Sequence, residues 1–365
     1  MLVAPDKFKG SASAGEVAAA LARGLRRSGA EVVQRPIADG GEGTLDVLVD
    51  VGARVERVDA LDAFGRPVPC RLGILGRTAL VEMADVCRRP PAPTSQDALT
   101  ASTSGVGAAL LAARGRGCVE VVVAVGGSAS TDGGAGLLRS LGARLVRSDG
   151  SEVAGVGGGL AEVVRIEPDD LPRDLPRLRF AVDVMNPLLG PTGAAAMFAP
   201  QKGATPQDVA VLERSLAALS QVVRRQVGHD LSHVAGMGAG GGVAFLPAAF
   251  LSAQVCSGAE LVLDLLGVDA LIEAADVVVT GEGSWDEQSA HGKAPDVLLH
   301  RARARRRPVV VVAGRVARDV PDGVVATVSL SERAGDADRA MRDVEPLLED
   351  VGRELGDRLA AGRAF

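Results

Sequence analysis

Two lysines, Lys7 and Lys9, flank a phenylalanine in APDKFKG near the start of the chain. The only other lysines are Lys202 in APQKGATP and Lys293 in HGKAP, and all remaining positive side chains are arginine. All the lysines therefore fall in loops marked by Gly and Pro. Lysine is a compact point charge on a flexible stem and suits a phosphate or carboxylate in a tight site. Carboxylates occupy similar loops: Asp39 and Glu42 in ADGGEGT, Asp183 ahead of VMNPLLG, and Glu282 and Asp286 in TGEGSWDEQ. Phosphoryl transfer uses such groups, some to hold Mg²⁺ and one to orient or deprotonate the attacking hydroxyl. Each carboxylate is also a candidate for a plain helix cap or turn. That reading suits Asp39, just ahead of a helix, better than Asp183, which Pro187 follows. Asn186, near Asp183, is the single asparagine of the chain, which hints that its amide is needed.

The strongest phosphate cradle is GGSASTDGGAG, residues 126–136. Glycines let a backbone approach a phosphate and turn its N–H groups inward. Gly126, Gly127 and the side chains of Ser128, Thr131 and Asp132 are the candidate contacts. The loop follows the best buried strand and precedes a helix, whose N-terminus adds partial positive charge. It is not a Walker A loop. Residues 236–241 spell GxGxxG, but no convincing strand precedes them, so a Rossmann fingerprint and a nicotinamide dehydrogenase are rejected. The histidines His229, His233, His291 and His300 form no metal or catalytic pair, and no GxSxG elbow supports a hydrolase.

Elements must bring these loops together. A short apolar run at 2–4 reads as a strand end. Ser13 and Glu16 form a capping box for a helix to about Arg27. EVVQRP reads as a strand, and a short helix begins at Thr44. Residues 53–85 alternate as antiparallel strands, and the Pro-rich stretch after them is a connector. A helix is expected over 97–114, then the strand VEVVVAV, a strand ending at Asp183, a helix from Pro206 to about Val227, and strands before the loops at 280–286 and 314. Strands alternating with helices predict a mainly parallel sheet. Five of the six Gly/Asp-rich stretches (4–10, 38–44, 126–136, 183–193, 236–242 and 280–286) follow a strand, and all are expected to share one sheet edge, where open α/β sheets bind ligands.

The 365 residues suggest two α/β domains. Aromatics are only 2% of the chain, so bulk packing falls to Ala, Val and Leu. A formal net charge of −6 and the lack of stacking aromatics exclude a nucleic-acid binder. Cys70, Cys87, Cys118 and Cys256 show no zinc spacing and read as isolated thiols. Early charges at Asp6 and Lys7 argue against a signal peptide, and no apolar run reaches membrane-spanning length. A cytoplasmic protein without membrane or nucleic-acid partners is expected.

The stretches APDKFKGSASAGEV, PIADGGEGTLDVLV, GGSASTDGGAG, DVMNPLLGPTGAAAMFAPQKGAT and VVVTGEGSWDEQSAHGKAPDVL strongly resemble the bacterial class I glycerate kinases, in the family's order, from residue 3 to about 315. The resemblance implies ATP-dependent phosphorylation of a hydroxyl of D-glycerate, with 2-phosphoglycerate the usual family product and ATP and Mg²⁺ as cofactors. It implies a flavodoxin-like domain built from both chain ends, residues 1–64 and 278–365, with a second α/β domain, 65–277, inserted. Lys9 matches the family's lysine, whereas Lys7 stands where Ser is usual. Ser130-Thr131 replaces a usual Thr-Asn, Ser284 a usual Arg, and Glu287 a usual Gly. Under this reading Lys7 or Lys9 and Lys293 neutralise the glycerate carboxylate or ATP phosphates. Lys202, Asn186, Glu282 and Asp286 add contacts. Asp39, Glu42 and Asp183 divide Mg²⁺ binding and hydroxyl activation, with Asp39 and Glu42 as metal ligands and Asp183 as the base. The rival is a non-catalytic sugar-acid or nucleotide-binding regulator on the same fold, favoured only by the altered 284–287 stretch. Monomer or homo-oligomer stays open.

Overall fold

The computed structural model describes residues 1–286, 292–317 and 319–361, so Glu287 and His291 lie outside the described residues. The chain packs as two compact α/β units, one of residues 1–39, 46–51 and 258–365, the other of residues 40–45 and 52–257. Residues 52–64 therefore pack with the second unit and 258–277 with the first, which differs from the expected divisions at 64 and 278.

The first unit carries a five-stranded sheet. Its strands are Leu2–Val3, Val33–Gln34, Val278–Thr280, Val309–Ala313 and Val324–Ser329, all paired in parallel. Numbered along the chain, their spatial order is 2-1-3-4-5, the flavodoxin-like order, whose ligands sit where the winding reverses between the first and third strands. The central strands are continuous Val runs, as strands covered on both faces require. The helix Ala14–Arg27 begins with the expected capping box of Ser13 and Glu16. Its Val17, Leu21 and Leu25 share one core with Leu348, Val351 and Leu355 of the C-terminal helix Val344–Ala360.

The second unit carries a six-stranded mixed sheet. Arg54–Leu61, Pro67–Leu75 and Thr78–Glu82 pair antiparallel, as the alternation predicts. They are not a sheet of their own: Thr78–Glu82 continues in parallel with Glu120–Ala124, which pairs with Arg177–Val182 and through it with Gln254–Ser257. The Gly/Asp-rich stretches thus lie on two sheets, not on one edge. Those at 4–10, 38–44 and 280–286 follow strands of the first sheet, and those at 126–136 and 183–193 follow strands of the second.

The helix expected over 97–114 is two helices, Ser95–Thr100 and Ser104–Gly115. The cause lies outside the local sequence. Thr103, between them, donates its backbone N–H and its hydroxyl to Asp132, each at 2.8 Å. The helix Pro206–Val227 starts at Thr205 in a capping box with Asp208 and ends at Gly228 in the left-handed conformation. Among the described residues no helix is long and apolar enough to cross a membrane.

Candidate active site

In the first unit, the loops after the first and third strands meet at the reversal point of the sheet. Asp6 follows Leu2–Val3, and its backbone N–H donates to Gly281 O at 2.8 Å, just past Val278–Thr280. Lys7 Nζ lies 3.8 Å from Asp39 Oδ1, and Lys293 Nζ lies 3.0 Å from Glu282 Oε2. Lys7, Asp39, Glu282 and Lys293 therefore belong to one polar patch. Ser284 Oγ donates to Asp286 Oδ2 at 2.9 Å. Lys9 is exposed on the same loop as Lys7.

Asp6 is the member that sequence reasoning overlooked. It is 5% exposed, and burial together with the charge of Asp39 raises its carboxyl to about 7, while Lys7 and its N–H pull the other way. Its signal in the sequence is only its place in APDKFKG, where the flanking lysines draw the eye.

In the second unit, the loop after Glu120–Ala124 is held from several sides. Arg89 N donates to Gly127 O at 3.0 Å, and Ala129 N donates to Cys87 O at 2.8 Å. Gly126 lies so close to the 40–43 loop that a Cβ there would sit 3.2 Å from Gly41 Cα. That second loop is fixed by Glu82, whose Oε1 accepts from Gly43 N at 3.0 Å and Leu45 N at 2.8 Å, while Arg71 pairs with its other oxygen at 2.9 Å. Glu42 consequently stands beside the 126–128 turn, paired with Arg88 at 3.0 Å. Arg88 and Arg89, at the start of the Pro-rich connector, thus bring cations beside these loops.

Among the described residues, no backbone acceptor is found for the N–H groups of Gly126 and Gly127, which are half-buried and exposed, whereas residues 128–132 are buried. Thr131 Oγ1 is buried and also lacks a hydrogen-bond partner among them. Buried N–H groups are nearly always satisfied. Accessible glycine N–H groups at the mouth of a turn that follows a strand are suited to an anion.

Two expected contacts serve the loop from behind instead. Asp132 is fully buried, and its carboxylate is taken up by Thr103, by Gly134 N at 3.1 Å and by Gly136 N at 3.2 Å. Burial pushes its carboxyl up, against those donors. Lys202 is also buried, donating to the Ser130 carbonyl. The glycine knot at 236–242 packs against the loop: Gly133 N donates to Gly241 O at 3.1 Å. Asp183 is exposed just past Arg177–Val182, and Asn186 Nδ2 donates to Thr192 O at 2.8 Å, closing the 186–192 turn.

Asp39 and Glu42 are oxygen donors of the type Mg²⁺ takes, and Mg²⁺ is commonly held by one or two carboxylates plus substrate phosphates. Each is paired with a cation, Asp39 with Lys7 and Glu42 with Arg88. Among the described residues no group of three His, Cys, Asp or Glu is gathered for a metal.

The glycerate kinase family model matches residues 1–360. A glycerate kinase of Bacillus subtilis is 35% identical, covering 97% of this chain and 96% of that protein. A glycerate 2-kinase of Escherichia coli is 35% identical, covering 99% and 98%. The crystal structure of a Salmonella typhimurium protein described as glycerate kinase 2 superposes with a TM-score of 0.87 at 34% identity, covering 99% of this chain and 98% of that one. With its family's model matching nearly end to end, the chain belongs to the glycerate kinase family and is a kinase.

Proposed function

We propose that the protein transfers the γ-phosphoryl group of ATP to a hydroxyl of D-glycerate and releases 2-phosphoglycerate. The observation that carries this is the turn after a central parallel strand, where the accessible Gly126 and Gly127 N–H groups have no backbone acceptor among the described residues. Phosphoryl transfer is catalysed chiefly by positioning and charge stabilisation, and fixed N–H donors supply both. Lys7, Lys9 and Lys293 supply cations for a carboxylate or phosphate. Asp39 and Glu42 are the residues that would hold Mg²⁺, which when bound neutralises charge between the phosphates. Asp183, exposed at the end of its strand, accepts the proton of the attacking hydroxyl.

The test is ADP release from ATP, Mg²⁺ and D-glycerate. No ADP above a control without glycerate rejects the proposal. Adding enolase without a mutase then reports the product: phosphoenolpyruvate appears directly only from the 2-phosphate. Asp183→Asn belongs in the same assay, where turnover drops by about 10²–10⁴-fold if this carboxylate is the base.

A further inference from the structure

Arg88 and Arg89 stand against the turn whose glycine N–H groups are accessible. Arg89 N donates to Gly127 O and Ala129 N donates to Cys87 O, so residues 87–89 run antiparallel to 127–129 and Arg88 lies directly opposite Ser128. Opposed residues between such bonds have Cα atoms only about 4.5 Å apart. The root of Arg88 is thus one residue away from Gly127, which is exposed. The two guanidinium groups differ in how they are held. Arg89 Nη1 donates to both Gln201 O and Gln201 Oε1 at 3.1 Å. Arg88 Nη1 reaches Glu42 Oε1 at 3.0 Å, in a pair whose side chains are 58% and 56% exposed. Glu42 belongs to the same corner, since a Cβ on Gly126 would sit 3.4 Å from Glu42 N.

We propose that Arg88 is a phosphate-binding residue of this turn: Glu42 holds its guanidinium beside Gly126 and Gly127 until a phosphate of the nucleotide takes it over. An exposed ion pair contributes little, because water solvates both partners and holding two long side chains in one geometry costs entropy. Little is therefore lost when this one parts. A phosphate is the stronger partner, with more charge and two oxygens that match the planar fork of an arginine. The anion would then be met by N–H groups from the turn and by a guanidinium from the facing segment. The chain carries a formal net charge of −6, so its attraction for ATP has to come from such local groups. Parting the pair also leaves the Glu42 carboxylate to the Mg²⁺ that the proposed function assigns to it.

The inference rests on the phosphate-binding reading of Gly126 and Gly127, and its test separates the two. ATP binding is measured by isothermal titration calorimetry in EDTA, where no turnover occurs. R88M keeps most of the stem without the charge and is expected to weaken ATP by about 10–100-fold, the range for a lost charge-assisted contact to phosphate. Its Tm without nucleotide should stay within about 2 °C of the parent's, as for any exposed pair. Unchanged ATP affinity in R88M overturns the inference. So does a loss of affinity that comes with a larger fall in Tm, which would make Arg88 a structural residue. E42Q tests the exchange. It removes the competitor for Arg88, so it should tighten ATP more in the parent than in the R88M background. Mere relief of repulsion between Glu42 and the phosphates would give R88M at least as large a gain, and that result overturns the exchange. G127V forces a β-branched side chain into a φ of +63° and re-aims the turn. If G127V weakens ATP and R88M does not, the turn binds phosphate and only the Arg88 inference fails. If neither weakens ATP, the phosphate-binding reading fails with it.

Discussion

At the scale of residues, the buried Asp6 carboxyl sits beside Asp39 in the patch that Lys7, Glu282 and Lys293 share. The lysines and carboxylates of the loops were visible in the sequence, and Lys7, Asp39, Glu282 and Lys293 share one patch. Asp6 was not visible, because what distinguishes it is desolvation and the nearness of Asp39, and these are tertiary facts. Its raised carboxyl has a consequence for stability. An unfolded Asp ionises near 3.8, whereas in the fold Asp6 does so near 7. Below about pH 4 both states hold the proton and there is no effect. Between 4 and 7 the unfolded state releases it first, so this group makes stability fall as pH rises, by up to about 4 kcal/mol in total. Above 7 its contribution levels off. Asp6→Asn removes the ionisable group and should flatten that part of the profile, leaving the ligand-free variant more stable than the parent at pH 8 and little changed at pH 4. Urea unfolding at the two pH values checks this, and equal differences at both would contradict it.

At the scale of elements, local signals worked where the cause was local. The capping box at Ser13 starts its helix as read, and the helix read from Pro206 to about Val227 forms over that span. The break between Ser95–Thr100 and Ser104–Gly115 could not be read, because the periodicity runs through it and its cause is Asp132, far along the chain. The same distance effect hid the roles of Asp132 and Lys202: both look like loop side chains open to a ligand, yet both are buried beneath the loop they support. The Thr103 hydroxyl lies at the centre of this support. It donates to Asp132 Oδ2 at 2.8 Å and accepts from Leu137 N at 2.9 Å. Thr103→Val preserves shape and removes both bonds, leaving a buried N–H without a partner and a carboxylate short of a donor. A loss of about 2–4 kcal/mol in unfolding free energy is expected, since each buried polar group left unmade costs roughly 1–3 kcal/mol. A loss below about 0.5 kcal/mol in denaturant unfolding would show that the tie is dispensable.

At the scale of the whole molecule, the two-domain α/β class was legible because long Val-rich strands alternate with amphipathic helices. The exact allotment of strands was not, since pairing partners are set by packing: Arg54–Leu61 belongs with the second sheet although it follows elements of the first. Each unit closes its own core. One core gathers Val3, Leu21, Val279, Val310 and Leu348 from both chain ends, and the other draws on residues 58–253 alone. The first core can form only when segments more than two hundred residues apart have met, so it bears the larger loop-closure cost. Leu21, fully buried in the first core, tests how far the two behave as separate cooperative units. Leu21→Ala should cost about 2–5 kcal/mol, the range for truncating a buried leucine. If the cores unfold separately, amide exchange in Val309–Ala313 accelerates by a matching factor of about 30 or more, while Glu120–Ala124 keeps the protection of the parent. A single global transition would instead speed exchange in both strands alike, because every protected amide would open through the same unfolding event.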